Sequence, residues 1–235
     1  VNMNKFDEKP IILSLCSGSG SWEQPYIDDG GYEVIPVTYP EYDVRLWPSA
    51  PEEEPRGNGE WIDIADYKGR VKGILAAPDC TYFSVAGNAW KRSDEQIMGA
   101  LSVVDACFRI AYALQPEFFV LENPVGKLRK FIGPPVFKFD PFDFGDPYAK
   151  RTYLWGWFKE PTKNPCDPAL INEFPTAYNQ KGEKIKGEPM SGLYYKWLEE
   201  KGGDFTAPSN TDLKRKYRRS MTPQGFAKAF YEANR

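Results

Sequence analysis

The sequence contains no histidine. That removes the Ser-His and Cys-His nucleophile pairs outright, because both depend on imidazole as the base. It also removes the usual nitrogen ligand of zinc. The four cysteines, Cys16, Cys80, Cys107 and Cys166, are widely and irregularly spaced, and none forms Cys-x-x-Cys. Neither a metal centre nor a disulfide framework is therefore expected. No apolar run approaches the ~20 residues needed to cross a bilayer, and no signal-peptide pattern is present, so a soluble, cytoplasmic protein with no membrane partner is expected. Internal repeats and low-complexity tracts are absent too.

What is present suits one domain, or one domain with a small lobe: 235 residues, 41% of them hydrophobic and 15% aromatic. The formal charge of −3 argues neither for nor against a nucleic-acid partner, but its distribution says more. "PEEEPRGNGE", Pro51 to Glu60, reads as an acidic loop. Residues 211–235 carry seven basic side chains against two acidic ones. Such a cluster can meet phosphates, or can simply be a solvated helix face.

The pattern predicts alternating strands and helices. "PIILSLCSGSGS" reads as a buried strand, Ile11 to Leu15, entering a Gly/Ser-rich turn. Ser21 is placed to cap a helix with Pro25 in its first turn, and Gly30 and Gly31 to stop it. "YEVIPVTY" is a second strand and Val71 to Ala77 a third. Ser93 and Gln96 form a capping box ahead of a long helix, in which Ile97, Leu101, Val104, Phe108 and Ala111 share a face. Pro116 ends it, and "FFVLENP" holds a fourth strand. This alternation predicts a parallel α/β sheet. After Phe158 the texture becomes rich in Lys, Pro, Gly, Asn and Tyr, so residues 159–219 read as a small appended lobe with one helix near "YYKWLEE". Thr222 and Pro223 then open a last helix striped by Phe226, Ala229 and Phe230.

Ligands of open α/β sheets bind at the carboxyl ends of the strands. Three such ends carry unusual residues: Cys16-Ser17-Gly18-Ser19-Gly20, Pro78-Asp79-Cys80 and Glu122-Asn123-Pro124. Each has a plain structural alternative: a tight turn, an inert buried thiol, a helix-terminal charge. Their order and spacing together are more specific than any one of them.

In combination, "LCSGSGS", "APDCTYFS", "LENP" and "YAKRTYLWG" resemble the motifs of the DNA (cytosine-5)-methyltransferase family, especially its short bacteriophage members. The resemblance covers about residues 11–158 and the final helix. It implies a Rossmann-like, S-adenosylmethionine-dependent methyltransferase fold, with catalytic and cofactor-binding residues in 1–158, a reduced target-recognition region in 159–219, and residues 220–235 packing back beside the first strand. It implies DNA as the partner and methyl transfer to carbon 5 of cytosine, in the host cytoplasm if the chain is phage-encoded. Cys80 is then the nucleophile that adds to carbon 6, and Glu122 the acid beside ring nitrogen 3. Asn123 holds the loop, and Arg151 contacts the base carbonyl or orients Glu122. No step needs histidine, since Arg151, nearby amides and water can favour the thiolate. Cys16, Ser17, Gly18, Ser19, Gly20, Tyr39, Asp43 and Pro78 are the implied cofactor residues, with Trp22 or Tyr39 stacking on adenine. "TYFSVAGNAWKR" suits a closing loop over a flipped base: Gly87 as hinge, Tyr82 and Trp90 as stacking surface, Lys91 and Arg92 on phosphate.

The chain also departs from the family pattern. Asp79 replaces the second proline before the cysteine, and an acid there tends to raise a thiol pKa. Thr38 and Tyr39 stand where a ribose-binding acid belongs, leaving Glu41 or Asp43 to substitute. In the later motif, Pro147 and Ala149 replace the glutamine and first arginine. These departures keep two other readings open: the same fold using a modified S-adenosylmethionine, or acting on nucleotide or single-stranded substrate, and a catalytically silent DNA-binding relative. An amino-group methyltransferase fits poorly, because "PDCTYF" lacks that class's Pro-Pro-aromatic loop. Nothing in the sequence sets a target site or an oligomeric state.

Overall fold

The computed structural model describes residues 9–46, 67–85, 91–167, 194, 198, 217–218 and 220–235. The acidic loop, Gly87 and Trp90, the helix near "YYKWLEE" apart from Tyr194 and Leu198, and most of both the lobe and the basic run lie outside the described residues.

Six strands form one sheet: β1 (Ile11–Leu15), β2 (Glu33–Val37), β3 (Val71–Ala76), β4 (Phe118–Pro124), β5 (Phe137–Phe139) and β6 (Thr152–Trp157), in the order β2-β1-β3-β4-β6-β5. Strands β2, β1, β3 and β4 run parallel, whereas β6 is antiparallel to both β4 and β5. The sheet is therefore mixed where the sequence predicted a parallel one. Strand β5 has only three residues, and β6 lies in a segment singled out for its arginine rather than for a strand pattern.

The helices are α1 (Gln24–Asp29), α2 (Asp94–Leu114), the single turn α3 (Arg129–Ile132) and α4 (Gln224–Asn234), with short 3₁₀ turns at Val44–Leu46 and Pro141–Phe144. Strand alternation divides the core into two layers. Ile11, Leu13, Leu15, Ile74, Phe119 and Leu121 pack with α2. Ile12, Leu75, Phe118, Val120 and Leu154 pack with Trp22, Tyr26 and the Phe226 and Phe230 side of α4. Burial on both faces is why β1, β3 and β4 read as nearly continuous apolar runs.

The α2 capping box forms as the sequence predicts, with Ser93 and Gln96 exchanging bonds. Its buried face is Val104, Ala106, Cys107, Ile110, Ala111 and Leu114, whereas Leu101 and Phe108 sit partly buried at its margin. By length and hydropathy α2 could cross a bilayer, but it carries Asp94, Glu95, Asp105 and Arg109 and lies against the sheet as a core helix.

Two expected caps are not used. Helix α1 starts at Gln24 after Glu23, without a side-chain cap, and α4 starts at Gln224 after Pro223. The Ser21 hydroxyl instead accepts the Thr222 N–H at 2.8 Å, which ties the two helix entrances together. Phe226 stacks on Phe139 with centroids 4.0 Å apart, and Trp22 meets Phe230 edge-on at 5.7 Å.

Candidate active site

The carboxyl ends of β1 and β3 run together until the Ala77 N–H reaches the Leu15 carbonyl (3.0 Å). Cys16 then turns into a left-handed conformation, and its N–H bonds to the Val37 carbonyl (2.9 Å). Beyond β3, Pro78 is buried, Asp79 exposed and Cys80 partly buried. The Cys80 carbonyl accepts the N–H groups of Phe83 (3.0 Å) and Ser84 (2.9 Å), so the chain folds back directly after the thiol. The Asp79 carboxylate is engaged locally, accepting the Thr81 N–H (2.9 Å) and hydroxyl (2.6 Å).

That fold-back joins the Cys80 loop to the residues following Glu122-Asn123-Pro124. Ser84 pairs with Gly126; the Val85 N–H reaches the Val125 carbonyl (3.1 Å) and the Lys127 N–H the Phe83 carbonyl (2.7 Å). Phe83 is fully buried beneath them. A side-chain bond completes the connection, as the amide of fully buried Asn123 donates to the Pro78 carbonyl at 3.0 Å. The other amide atom, Asn123 Oδ1, is buried with no partner among the described residues.

Glu122 belongs to β4 opposite Leu154. Burial pushes its carboxyl above the usual range, and the positive charge of Lys150 partly opposes that rise. Arg151 is engaged elsewhere: its Nε binds buried Asp140 at 2.6 Å while the rest of the side chain is exposed. Tyr82 lies beneath Arg92, 5.2 Å from guanidinium carbon to ring centroid. Lys150 and Asp140 were not singled out from the sequence, although Lys150 stands directly beside Arg151.

The Gly-rich loop is shaped by Glu23, a buried acid that sequence reasoning also missed. Its carboxylate accepts the Ser17 hydroxyl (2.7 Å), and Ser17 Oγ in turn accepts the Gly20 N–H (3.2 Å). Gly20 has a φ of 72°, where a side chain would strain the turn. The lead-in to α4 closes over this loop: the Tyr217 hydroxyl donates to the Ser19 carbonyl (3.2 Å), and Ser220 approaches Gly18. Ser19, Gly20 and Ser21 line one end of an open cleft of about 920 Å³ between α1 and α4, and neither Cys80 nor Glu122 lines it.

The remaining cofactor candidates differ in their availability. The partly buried Cys16 packs against the α2-side core that holds Cys107, so the end of β1 offers a ligand mainly backbone. Trp22 is packed in the α4-side core and cannot stack on a ligand, whereas Tyr39 is 74% exposed. Asp43 is paired with Arg45, which holds its carboxyl below the usual range. Thr38 donates to the Ser17 carbonyl (3.0 Å). The Gly/Ser backbone at the end of β1, exposed at Gly18, suits the approach of the methionine end of S-adenosylmethionine. On the ribose side, Glu41 is the exposed acid near the end of β2.

No protein-family model and no curated protein matches this chain. Among solved structures, the methyltransferase EhMeth of Entamoeba histolytica is similar with a TM-score of 0.51 and 12% identity, over 96% of this chain and 97% of that one. A candidate DNA modification methyltransferase encoded within an E. coli prophage aligns with a TM-score of 0.36 and 18% identity, over 63% of this chain. This chain spans 46% of that prophage protein's length. The fold is thus the Rossmann-like fold of methyltransferases, with the mixed sheet described above.

Proposed function

We propose that this protein transfers a methyl group to carbon 5 of cytosine in DNA through a covalent adduct of Cys80 at carbon 6. The observation that carries the reading is the Asn123–Pro78 hydrogen bond, which joins the Cys80 loop to the Glu122 strand end at the mouth of the sheet. That bond supports a reading in which the partly buried Cys80 thiol and the partly buried Glu122 carboxyl serve one crevice.

The chemistry needs both groups. Carbon 5 of cytosine is too weak a nucleophile to be methylated directly. Addition of the Cys80 thiolate to carbon 6 pushes the ring electrons toward carbon 5 and nitrogen 3. Glu122 offers its proton to nitrogen 3 and so offsets the charge that develops there, a role favoured by the raised pKa of its carboxyl. The Ser17–Gly20 backbone would hold S-adenosylmethionine, which would supply the electrophilic methyl group. Loss of the carbon-5 proton to water then expels the Cys80 thiolate and restores the ring. The base must leave the stack to reach this crevice, and the segment after Cys80, with Tyr82 under Arg92, is suited to a displaced strand.

Replacing hydrogen by fluorine at carbon 5 blocks the elimination. DNA containing 5-fluorocytosine is therefore expected to form a denaturation-resistant complex with the wild type and none with Cys80→Ala. Wild-type protein that forms no complex in the presence of S-adenosylmethionine contradicts the reading.

A second reading has its own support. Thr38 is bonded to the loop and Asp43 to Arg45, so of the acids near the end of β2 Glu41 is the exposed one left to grip a ribose. That reduced grip supports a reading in which the donor differs from ordinary S-adenosylmethionine. Mass spectrometry of the ligand that co-purifies decides between the two donors.

A further inference from the structure

The turn that follows Glu122-Asn123-Pro124 carries charge of one sign. From Asn123 to Phe139 the chain holds Lys127, Arg129, Lys130 and Lys138 and no acidic residue, in a protein whose formal charge is −3. Lys138 lies over the Tyr153 ring, 5.8 Å from its centroid. Lys127, Arg129 and Lys130 are exposed and form no ion pair among the described residues. The residues between and after them anchor the turn: Leu128 is buried in the α2-side core, and Phe131 meets buried Phe83 with centroids 6.2 Å apart. The Lys127 carbonyl accepts the Lys130 N–H (2.8 Å), and the Leu128 carbonyl accepts the N–H groups of Phe131 (2.9 Å) and Ile132 (3.1 Å).

That turn is also the one fastened to the Cys80 loop. The Lys127 N–H donates to the Phe83 carbonyl (2.7 Å), and the Phe83 N–H donates to the Cys80 carbonyl (3.0 Å). The bridge between Ser84 and Gly126 lies alongside. We propose that Lys127, Arg129 and Lys130 form a grip for the phosphate backbone of DNA beside Cys80. The inference rests on the reading of DNA as the substrate, and it adds the surface that holds it.

The chemistry suits that partner. A base that leaves the stack to meet Cys80 keeps its flanking phosphates, so the DNA backbone passes close to the Cys80 loop. Each exposed cation that neutralises a phosphate releases a condensed counterion, which favours binding without reading sequence. A cation already paired with a carboxylate would first have to give up that partner, and these three have none among the described residues. The exposed acid of the Cys80 loop, Asp79, has its carboxylate held by the Thr81 N–H and hydroxyl. A turn anchored by Leu128 and Phe131 presents its three charges together, so less freedom is lost on binding than a loose tail would lose.

The test is the binding of a fluorescently labelled DNA duplex, read by anisotropy over a series of salt concentrations. Every protein compared carries Cys80→Ala, so that no covalent adduct contributes. Lys127→Gln, Arg129→Gln and Lys130→Gln together are expected to lower the slope of log affinity against log salt by about 2 to 3, and to weaken binding at least about tenfold at physiological salt. The loss should be the same for duplexes of different sequence. The charge-preserving set Lys127→Arg, Arg129→Lys and Lys130→Arg should keep the slope. So should Lys9→Gln with Lys68→Gln, which removes two exposed cations ahead of β1 and β3, at the opposite end of those strands from Cys80. If the triple Gln variant loses the native fold by circular dichroism, each single substitution is expected to lower the slope by about 1. An unchanged slope in a folded variant overturns the proposal, as does an equal fall in the Lys9→Gln, Lys68→Gln protein or a parent protein that binds no DNA. Binding is read without chemistry, so it separates this inference from the proposed activity. A lowered slope in a protein whose Cys80 form modifies no cytosine keeps the grip and removes the transfer reading, and an unchanged slope in one that does modify cytosine does the reverse.

Discussion

At the scale of single residues, the site depends on how buried polar groups are satisfied. Asn123 is the clearest case. Its amide is the side-chain link between the β4 end and Pro78, and removing it leaves the Pro78 carbonyl without that donor. Asn123→Ala is expected to cost about 1–3 kcal/mol in stability. Turnover should fall further than stability, because the Cys80 loop loses its register against Glu122. Chemical denaturation and a methylation assay on the same preparation check both parts, and full activity in a destabilised variant contradicts the positioning role. The residue types and their spacing made Cys80, Glu122 and Asn123 visible in the sequence. The pairing of Arg151 with Asp140 was not visible, because Asp140 lies eleven residues away and meets it only through the turn between β5 and β6. Glu23 was hidden for a similar reason: its partner Ser17 is set by the fold of the loop, not by any periodicity.

At the scale of elements, the parts with strong local signals were legible. Strands β1 to β4 come close to their expected bounds, and α2 begins at its capping box, because apolar runs and caps act within a few residues. Strands β5 and β6 were not foreseen, since what stabilises them is pairing onto β4 rather than local preference. The entrance of α1 differs from expectation because the Ser21 hydroxyl bonds the Thr222 N–H, 201 residues away, instead of capping the helix. The segments proposed to be catalytic approach each other closely at Gly126. A β-carbon there would lie 1.9 Å from the Phe83 carbonyl oxygen. Gly126→Ala must therefore push the Cys80 loop away from the β4 end. A loss on the order of 2 kcal/mol in stability, with loss of the Cys80 adduct, is expected, measured by thermal unfolding and by trapping with 5-fluorocytosine DNA.

At the scale of the whole molecule, Asp146 fastens α4 to the body, since its carboxylate accepts the Gly225 N–H at 2.9 Å while nearly all of its surface is buried. Burial raises its pKa from 3.8 to about 6. The folded state therefore binds this proton more tightly than the unfolded chain. The contribution to stability is complete below pH 3.8 and is lost as pH rises through about 6. Relative to Asp146→Asn, the wild type should lose about 2 kcal/mol of unfolding free energy between pH 4 and pH 7, as read from denaturant titrations at each pH. Parallel pH curves for the two proteins contradict this assignment. The overall architecture bears on the proposed activity, because a methyltransferase fold carries a cysteine and a partly buried acid at the mouth of its sheet, in a chain without histidine. The most direct test is nucleoside mass spectrometry on DNA from cells expressing the wild type or Cys80→Ala. The account predicts a modified cytosine with the wild type and none with the variant, the added mass identifying the transferred group. Unmodified cytosine with a folded wild-type protein contradicts it.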